Sequence, residues 1–288
     1  MAELAEIRIE APAPASSAPR TVQYLRAFGG LFLRDLHVLR RELFPFVIRV
    51  CMNPMLFLFV FTFIMPRMSG GPGMNPTTSM AGGNFSTVLL TGLMAVTIMF
   101  SGIAAVALPL AQEFGITREI DDRVMCPLPI AAIAFEKILF SAMQSVIAAG
   151  IVFLLAYYIP STPVVVHVTS WLYLALVLVL SSITSGALGL TIGTSVKPQQ
   201  IGLIFGVVVM PITFLGCVYY PWAALDRIKW LQYGVLVNPI VYMSEGLRSA
   251  LTPTLKHMHP AMILTMLVFF LVLLMWMGIR GFKRRVIG

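Results

Sequence analysis

The residues able to do chemistry in this sequence are few, and they gather in two stretches. The first, EFGITREIDDRVMCPLP from Glu113 to Pro129, is the densest charge cluster of the chain, with Glu113, Arg118, Glu119, Asp121, Asp122 and Arg123. The second runs from Tyr220 to Leu251 and carries Glu245 and Arg248 three apart, a spacing that allows an ion pair on one helical face. Neither stretch has the makings of an active site. No Gly-Lys pair occurs anywhere, so the chain lacks a phosphate-binding P-loop of its own. Ser101-Gly102 lacks the preceding glycine that an intramembrane serine protease turn requires, and no histidine falls mid-span. His257-Met258-His259 offers two metal ligands with no third nearby, which favours a solvated turn. Cys51, Cys126 and Cys217 are scattered without a CxxC, which argues against a disulfide framework or a zinc site.

The elements that must position these residues are apolar helices. The chain has 288 residues, of which 58% are hydrophobic and 11% charged. Soluble domains carry roughly 25% charge. The apolar residues form six blocks, about Phe44 to Met65, Thr87 to Leu110, Ile138 to Ile159, Val168 to Gly193, Ile201 to Val218 and Ala261 to Ile279. Each approaches the roughly 20 residues that a helix needs to cross hydrocarbon. The fold class is therefore an all-α polytopic membrane protein with six transmembrane helices. The fifth block is the shortest and contains Pro211.

Charge sets the expected orientation. The net charge is +8, but its basic residues flank apolar runs, which points to topology and anionic lipid rather than nucleic acid. Arg26, Arg34, Arg40 and Arg41 precede the first span, and Arg280, Lys283, Arg284 and Arg285 follow the last, so both termini are expected in the cytosol. Residues 1–20 have no apolar core and read as a disordered cytosolic tail. Residues 21–43 place Leu25, Phe28, Phe32, Leu36 and Leu39 on one helical face and Arg26, Arg34, His37 and Arg41 on the other, the pattern of a helix lying in the membrane interface.

With that orientation the charged loop is cytosolic. Ile116, Ile120 and Val124 recur at helical spacing, and Pro127 and Pro129 end the pattern. A short amphipathic helix of this kind suits docking into a soluble partner. The Tyr220 to Leu251 stretch faces outside; Pro221 and Pro239 punctuate it, and Trp222, Trp230, Tyr233 and Tyr242 ring it. Such a stretch fits short helices that enter the bilayer and return. Glu245 paired with Arg248 there is expected to stabilise a closed outer gate.

Span interiors are nearly free of ionisable groups. Arg49 sits about one and a half turns into the first span, and Glu136 and Lys137 sit at the edge of the third. Ion-coupled carriers keep a buried carboxylate or histidine, and voltage sensors an arginine ladder. Neither pattern is present, so a driving force must come from elsewhere, or there is none. Gly189-xxx-Gly193 and Gly202-xxx-Gly206 allow close helix contact, within a subunit or at a dimer seam. Met94, Met99 and Met143 read as core or lipid-facing residues, or as the lining of an adaptable amphiphile path.

Pro239, Ile240 and Val241, with Tyr242 and then Arg248 six positions on, together with Glu113-Phe114-Gly115, Arg118-Glu119 and Pro127-Leu128-Pro129, resemble the permease subunits of type-2 ABC transporters. That family contains drug, lipid-linked sugar and polysaccharide exporters. The resemblance covers about Thr21 to Arg285 and implies a transmembrane domain over 44–285. It implies a coupling helix at about 113–126, in which Glu113, Gly115, Arg118, Glu119, Asp121 and Asp122 meet a cognate ATPase subunit. Asp121-Asp122 departs from the family, where an apolar residue often follows. It further implies an external re-entrant region at about 220–251 with Pro239, Tyr242, Glu245 and Arg248 as a gate motif. The permease would pair as a homodimer or with a paralogue in the cell inner membrane. It would itself be no enzyme and hold no cofactor, with ATP and Mg on the partner subunit. The competing class is a passive channel or membrane scaffold, for which no ring of charge or carbonyls is evident.

Overall fold

The computed structural model describes residues 19–60, 85–117, 128–158, 166–168, 170–253 and 257–287. Among them every regular element is helical. In chain order these are α1 (Arg20–Arg41), α2 (Leu43–Phe59), α3 (Phe85–Gln112), α4 (Ile130–Tyr158), α5 (Trp171–Ser195), α6 (Pro198–Phe214), α7 (Lys229–Gly234), α8 (Pro239–Leu251) and α9 (Pro260–Ile287). A π-turn, Glu113–Thr117, extends α3, and a 3-10 turn, Trp222–Arg227, precedes α7.

Four of these helices, α3, α4, α5 and α9, are long and apolar enough to cross a membrane. α1 and α2 meet the same test as a pair bent by 72°. The break falls at Glu42 (φ −102°, ψ 19°), just before Pro45. Proline has no N–H for the carbonyl four residues back, and its ring clashes there, so one straight helix cannot run through. α6 is shorter than the expected Ile201 to Val218 span. A π-turn over Phe205–Val209 interrupts it, and it stops at Phe214. At 1.5 Å per residue it reaches about 25 Å, short of a hydrocarbon core of roughly 30 Å. Of the six expected spans, four stand as single long helices, the fifth is shortened, and the first is described as far as Val60, as α2, which meets the length test jointly with α1; residues 61–65 of that block lie outside the described residues.

The helices alternate in direction, and contacts at their ends show which ends share a layer. Val218 meets Gly92 near the start of α3, and His167 N donates to Leu251 O (3.0 Å) just ahead of α5. At the other end, Lys137 near the start of α4 meets Glu113, and Arg285 at the end of α9 reaches Gly193 and Val196 at the end of α5. Gly92 and Glu113 are separated by about 30 Å of helix. α1 and the last turn of α9 share the Glu113 end of the bundle, because Arg34 and Leu39 line a cavity with Glu113 and Arg285 stacks on Phe114.

The core forms where small residues let helices touch. A Cβ on Gly102 would lie 2.0 Å from Ser185 Oγ, and one on Gly189 would lie 2.9 Å from Ile103 Cα. The Gly189-xxx-Gly193 stripe is thus a seam between α5 and α3 inside one chain. Gly202 and Gly206 meet nothing within 4 Å. Hydroxyls add bonds across the seams, Ser141 Oγ to Gly102 O (2.9 Å) and Thr191 Oγ1 to Leu274 O (3.0 Å). Met94 and Met99 are buried in this packing and Met143 packs partly buried against it, so all three serve the core.

Candidate functional site

α8 is a short helix buried on every side. Asn238 caps it by accepting from Ile240 N (3.1 Å), and Pro239 takes the first helical position, where a missing N–H costs nothing. The Asn238 amide also donates to Ile212 O (2.6 Å), which fastens α8 to α6. Residues Ile240 to Leu251 are all buried. Tyr242 donates to Leu236 O (2.9 Å), and Ser244 donates to Gly216 O (2.8 Å).

Glu245 and Arg248 form a hub inside this packing. Both side chains are 0% exposed, and Arg248 is the largest fully buried side chain described. Arg248 Nη1 bonds Glu245 Oε1, and Nη2 donates to Cys217 O (3.2 Å). Cys217 holds φ 52°, a left-handed conformation that costs a non-glycine residue of order 1–3 kcal/mol and turns its carbonyl toward the guanidinium. Glu245 Oε1 also accepts from Trp222 N (2.9 Å), and Oε2 accepts from Met258 N (3.2 Å). One ion pair therefore gathers the turn after α6, the 3-10 turn before α7 and the lead into α9. Taking two charges out of water costs several kcal/mol per ion, and these added bonds offset that cost.

The second cluster lies at the far end of α3. Glu113, Phe114 and Gly115 each meet a different element. Glu113 Oε1 accepts from Lys137 Nζ of α4 at 2.7 Å, with the two side chains 6% and 5% exposed. Phe114 packs edge-on to Phe282 of α9, ring centroids 6.1 Å apart, and the Arg285 guanidinium lies 4.6 Å from its centroid. A Cβ on Gly115 would stand 2.8 Å from Pro198 Cβ, so only glycine fits beside the turn into α6. Arg285 then donates to Gly193 O (2.9 Å) and Val196 O (2.8 Å) at the end of α5.

These contacts sort the expected site residues. Glu245 and Arg248 are brought together, with Tyr242 and Pro239 on the same helix. Glu113 and Gly115 sit at the α3 junction. Arg118, Glu119, Asp121 and Asp122 lie outside the described residues. Lys137 stands near the start of α4, which begins at Ile130 rather than at the expected Ile138, and its pair with Glu113 is buried between the two helices. Cys217, Trp222 and Arg285 were not singled out for these roles, since two contribute backbone groups and the third read as part of a basic tail. The Asn-Pro step at Asn238-Pro239 is a recognisable cap signal. His259 Nδ1 accepts from Ala261 N (3.3 Å) at the start of α9, and no group of three metal-ligating side chains occurs among the described residues.

The profile of the ABC-2 type transporter family matches residues 26–252, which include both ion pairs. The chain belongs to that family. A curated relative, inner membrane transport permease YadH of Escherichia coli strain K12, is 28% identical over 172 residues, 59% of this chain and 64% of the relative. The proteins of the same name from Escherichia coli O157:H7 and Shigella flexneri match to the same extent. The match thus spans somewhat less than two thirds of those relatives' length. Within this ABC-2 family chain, the junction at Glu113 opens the charged segment and the α8 hub closes the matched region.

Proposed function

We propose that this chain is the transmembrane permease subunit of an ATP-driven exporter that moves an amphiphilic cargo, a drug, lipid or glycolipid, across the bacterial inner membrane. The junction at Glu113-Phe114-Gly115 carries this reading. Three consecutive residues touch α4, α9 and the turn into α6, directly ahead of the charged 118–127 loop. A force applied to that loop by a docked ATPase passes to three helices at once. Arg118, Glu119, Asp121 and Asp122 supply the docking contacts, and ATP and Mg reside on the partner. The Glu113 end faces the cytosol, since the basic flanks of α1 and α9 gather there. α1 lies in the interface, and α2 and α6 complete a six-pass domain that works as a pair with an identical or paralogous permease.

At the opposite end, Pro239, Tyr242, Glu245 and Arg248 hold the outer gate closed. ATP biases the two conformations through its tighter binding to the closed ATPase dimer. The test is co-expression with the chromosomal neighbours, purification in mild detergent and assay of vanadate-sensitive ATP hydrolysis. Wild type retains an ATPase, and the Arg118→Ala, Glu119→Ala double variant loses it or uncouples it. No retained ATPase, together with a loop variant indistinguishable from wild type, would leave a passive channel or scaffold as the better account.

A further inference from the structure

Four basic residues fall on the last turns of α9, and one of them behaves unlike the rest. Arg280, Lys283 and Arg284 are exposed, and Arg280 lies over Trp276, its guanidinium 5.4 Å from the ring centroid. That is the pattern of a flank at the membrane interface. Arg285 is half-buried and turns into the protein. A Cβ on Gly281 would stand 2.6 Å from Thr194 Oγ1, so α9 and α5 touch about one turn before it. That close approach delivers the guanidinium to the end of α5, where the last carbonyls of a helix lack partners within the helix itself. Nη1 donates to Gly193 O (2.9 Å) and Val196 O (2.8 Å), and the same guanidinium lies 4.6 Å from the Phe114 ring centroid.

These contacts close a ring. Phe114 belongs to the π-turn that extends α3, and its neighbour Gly115 abuts Pro198. Pro198 follows closely on Val196, whose carbonyl Arg285 holds. The π-turn, the end of α9, the end of α5 and the turn into α6 are therefore joined in a circuit, in which Arg285 touches both α3 and α5. A cap for α5 needs only the two carbonyl bonds. The added contact with Phe114 sets a cation against an aromatic ring and ties the cap to α3. Lysine would supply the charge without a planar group able to stack and donate together.

We propose that Arg285 is a positioning residue that locks the end of α5 and the turn into α6 to the Glu113–Thr117 turn, so that a displacement of that turn reaches α5 as well as α4 and α9. Elements clasped into one body move together when any of them is pushed, and the clasp recruits a further helix to the motion. Without it, Glu113 and Phe114 still address α4 and α9, and the end of α5 no longer follows. The inference rests on the permease reading for the source of the displacement; the clasp is a property of this chain alone.

The experiment follows backbone hydrogen exchange by mass spectrometry over residues 113–117 and 193–200. In the full chain alone, in mild detergent, Arg285→Gln exchanges about tenfold faster than wild type in both segments. Arg284→Gln, at the exposed neighbouring position, matches wild type. Exchange in the interior of α4 stays at the wild-type rate in every variant, which separates local loosening from unfolding. In the complex captured with its ATPase, vanadate trapping shifts exchange in both wild-type segments, and in Arg285→Gln the shift is confined to 113–117. Thr191→Val removes the bond from Thr191 Oγ1 to Leu274 O in the same α5–α9 seam and still passes the shift to 193–200. Arg285→Gln with wild-type exchange in the chain alone overturns the proposal. So does an Arg285→Gln complex whose 193–200 segment responds to trapping as wild type does. A Thr191→Val complex that confines the shift equally makes Arg285 one more seam contact and overturns it also. Failure to retain any ATPase overturns the permease reading and the transmission with it; the chain-alone exchange decides the clasp independently, so the two failures are told apart.

Discussion

Two buried ion pairs among the described residues sit at opposite ends of one helix bundle and are built in opposite ways. Glu245 and Arg248 are three apart on one helix, and the surrounding chain comes to them: Cys217 O, Trp222 N and Met258 N all bond the pair. Glu113 and Lys137 are 24 apart and belong to different helices, so their bond is the join between α3 and α4. The first pair is fully buried at 0% exposure, while the second borders a cavity of about 580 Å³. A pair within one helix survives any rigid movement of that helix. A pair between two helices has to break or carry its partner along when one of them moves. The α8 hub thus keeps its local shape when α8 moves as a body, and under the proposed function the α3–α4 pair is the contact that would pass a displacement from one helix to the other.

The largest effect that would sharpen this contrast is loss of one hub partner. Arg248→Ala leaves the Glu245 carboxylate buried without its cation, and stability in detergent drops by about 3–5 kcal/mol. The double variant Glu245→Gln, Arg248→Gln is less destabilised than the sum of its single changes, as melting curves of all four proteins would show. If that double variant exports cargo normally, the gate role assigned to the pair is wrong. Next in size is the seam: Gly189→Val drives a side chain into Ile103 and costs about 1–3 kcal/mol, whereas Gly202→Ala, with open space around it, leaves the melting temperature within error.

Smaller in stability, and the sharpest in function, is the α3–α4 pair. Glu113→Gln costs about 1–3 kcal/mol, below the hub's loss because the neighbouring cavity can hydrate Lys137. Its ATP-coupled transport falls far more than its melting temperature, which the hub variants do not show. The smallest effect belongs to the cap. Asn238→Ala removes the bonds to Ile240 N and Ile212 O and lowers stability by about 1 kcal/mol, read by the same melts.

What the sequence made legible follows from distance along the chain. Spans α3, α5 and α9 were readable because an unbroken apolar block reports its own helix. The Glu245–Arg248 contact was readable because a spacing of three fixes neighbours on a helix. The partner of Lys137 was not readable, because Glu113 belongs to another helix and lies 24 residues away. The early end of α6 was hidden because its apolar block runs on to Val218, while the turn at Cys217 is set by the tertiary bond from Arg248. Arg285 looked like one more basic tail residue, since its partners Phe114, Gly193 and Val196 come from two distant helices.

A charge exchange across the α3–α4 pair tests the central claim most directly. Glu113→Lys, Lys137→Glu and the exchanged double variant are each reconstituted with the cognate ATPase, and cargo-stimulated ATP hydrolysis is measured. Transmission through this pair predicts that either single reversal uncouples hydrolysis from cargo and that the double variant restores most of the coupling. Single reversals that couple like wild type, or a double variant no better than the worse single, would contradict it.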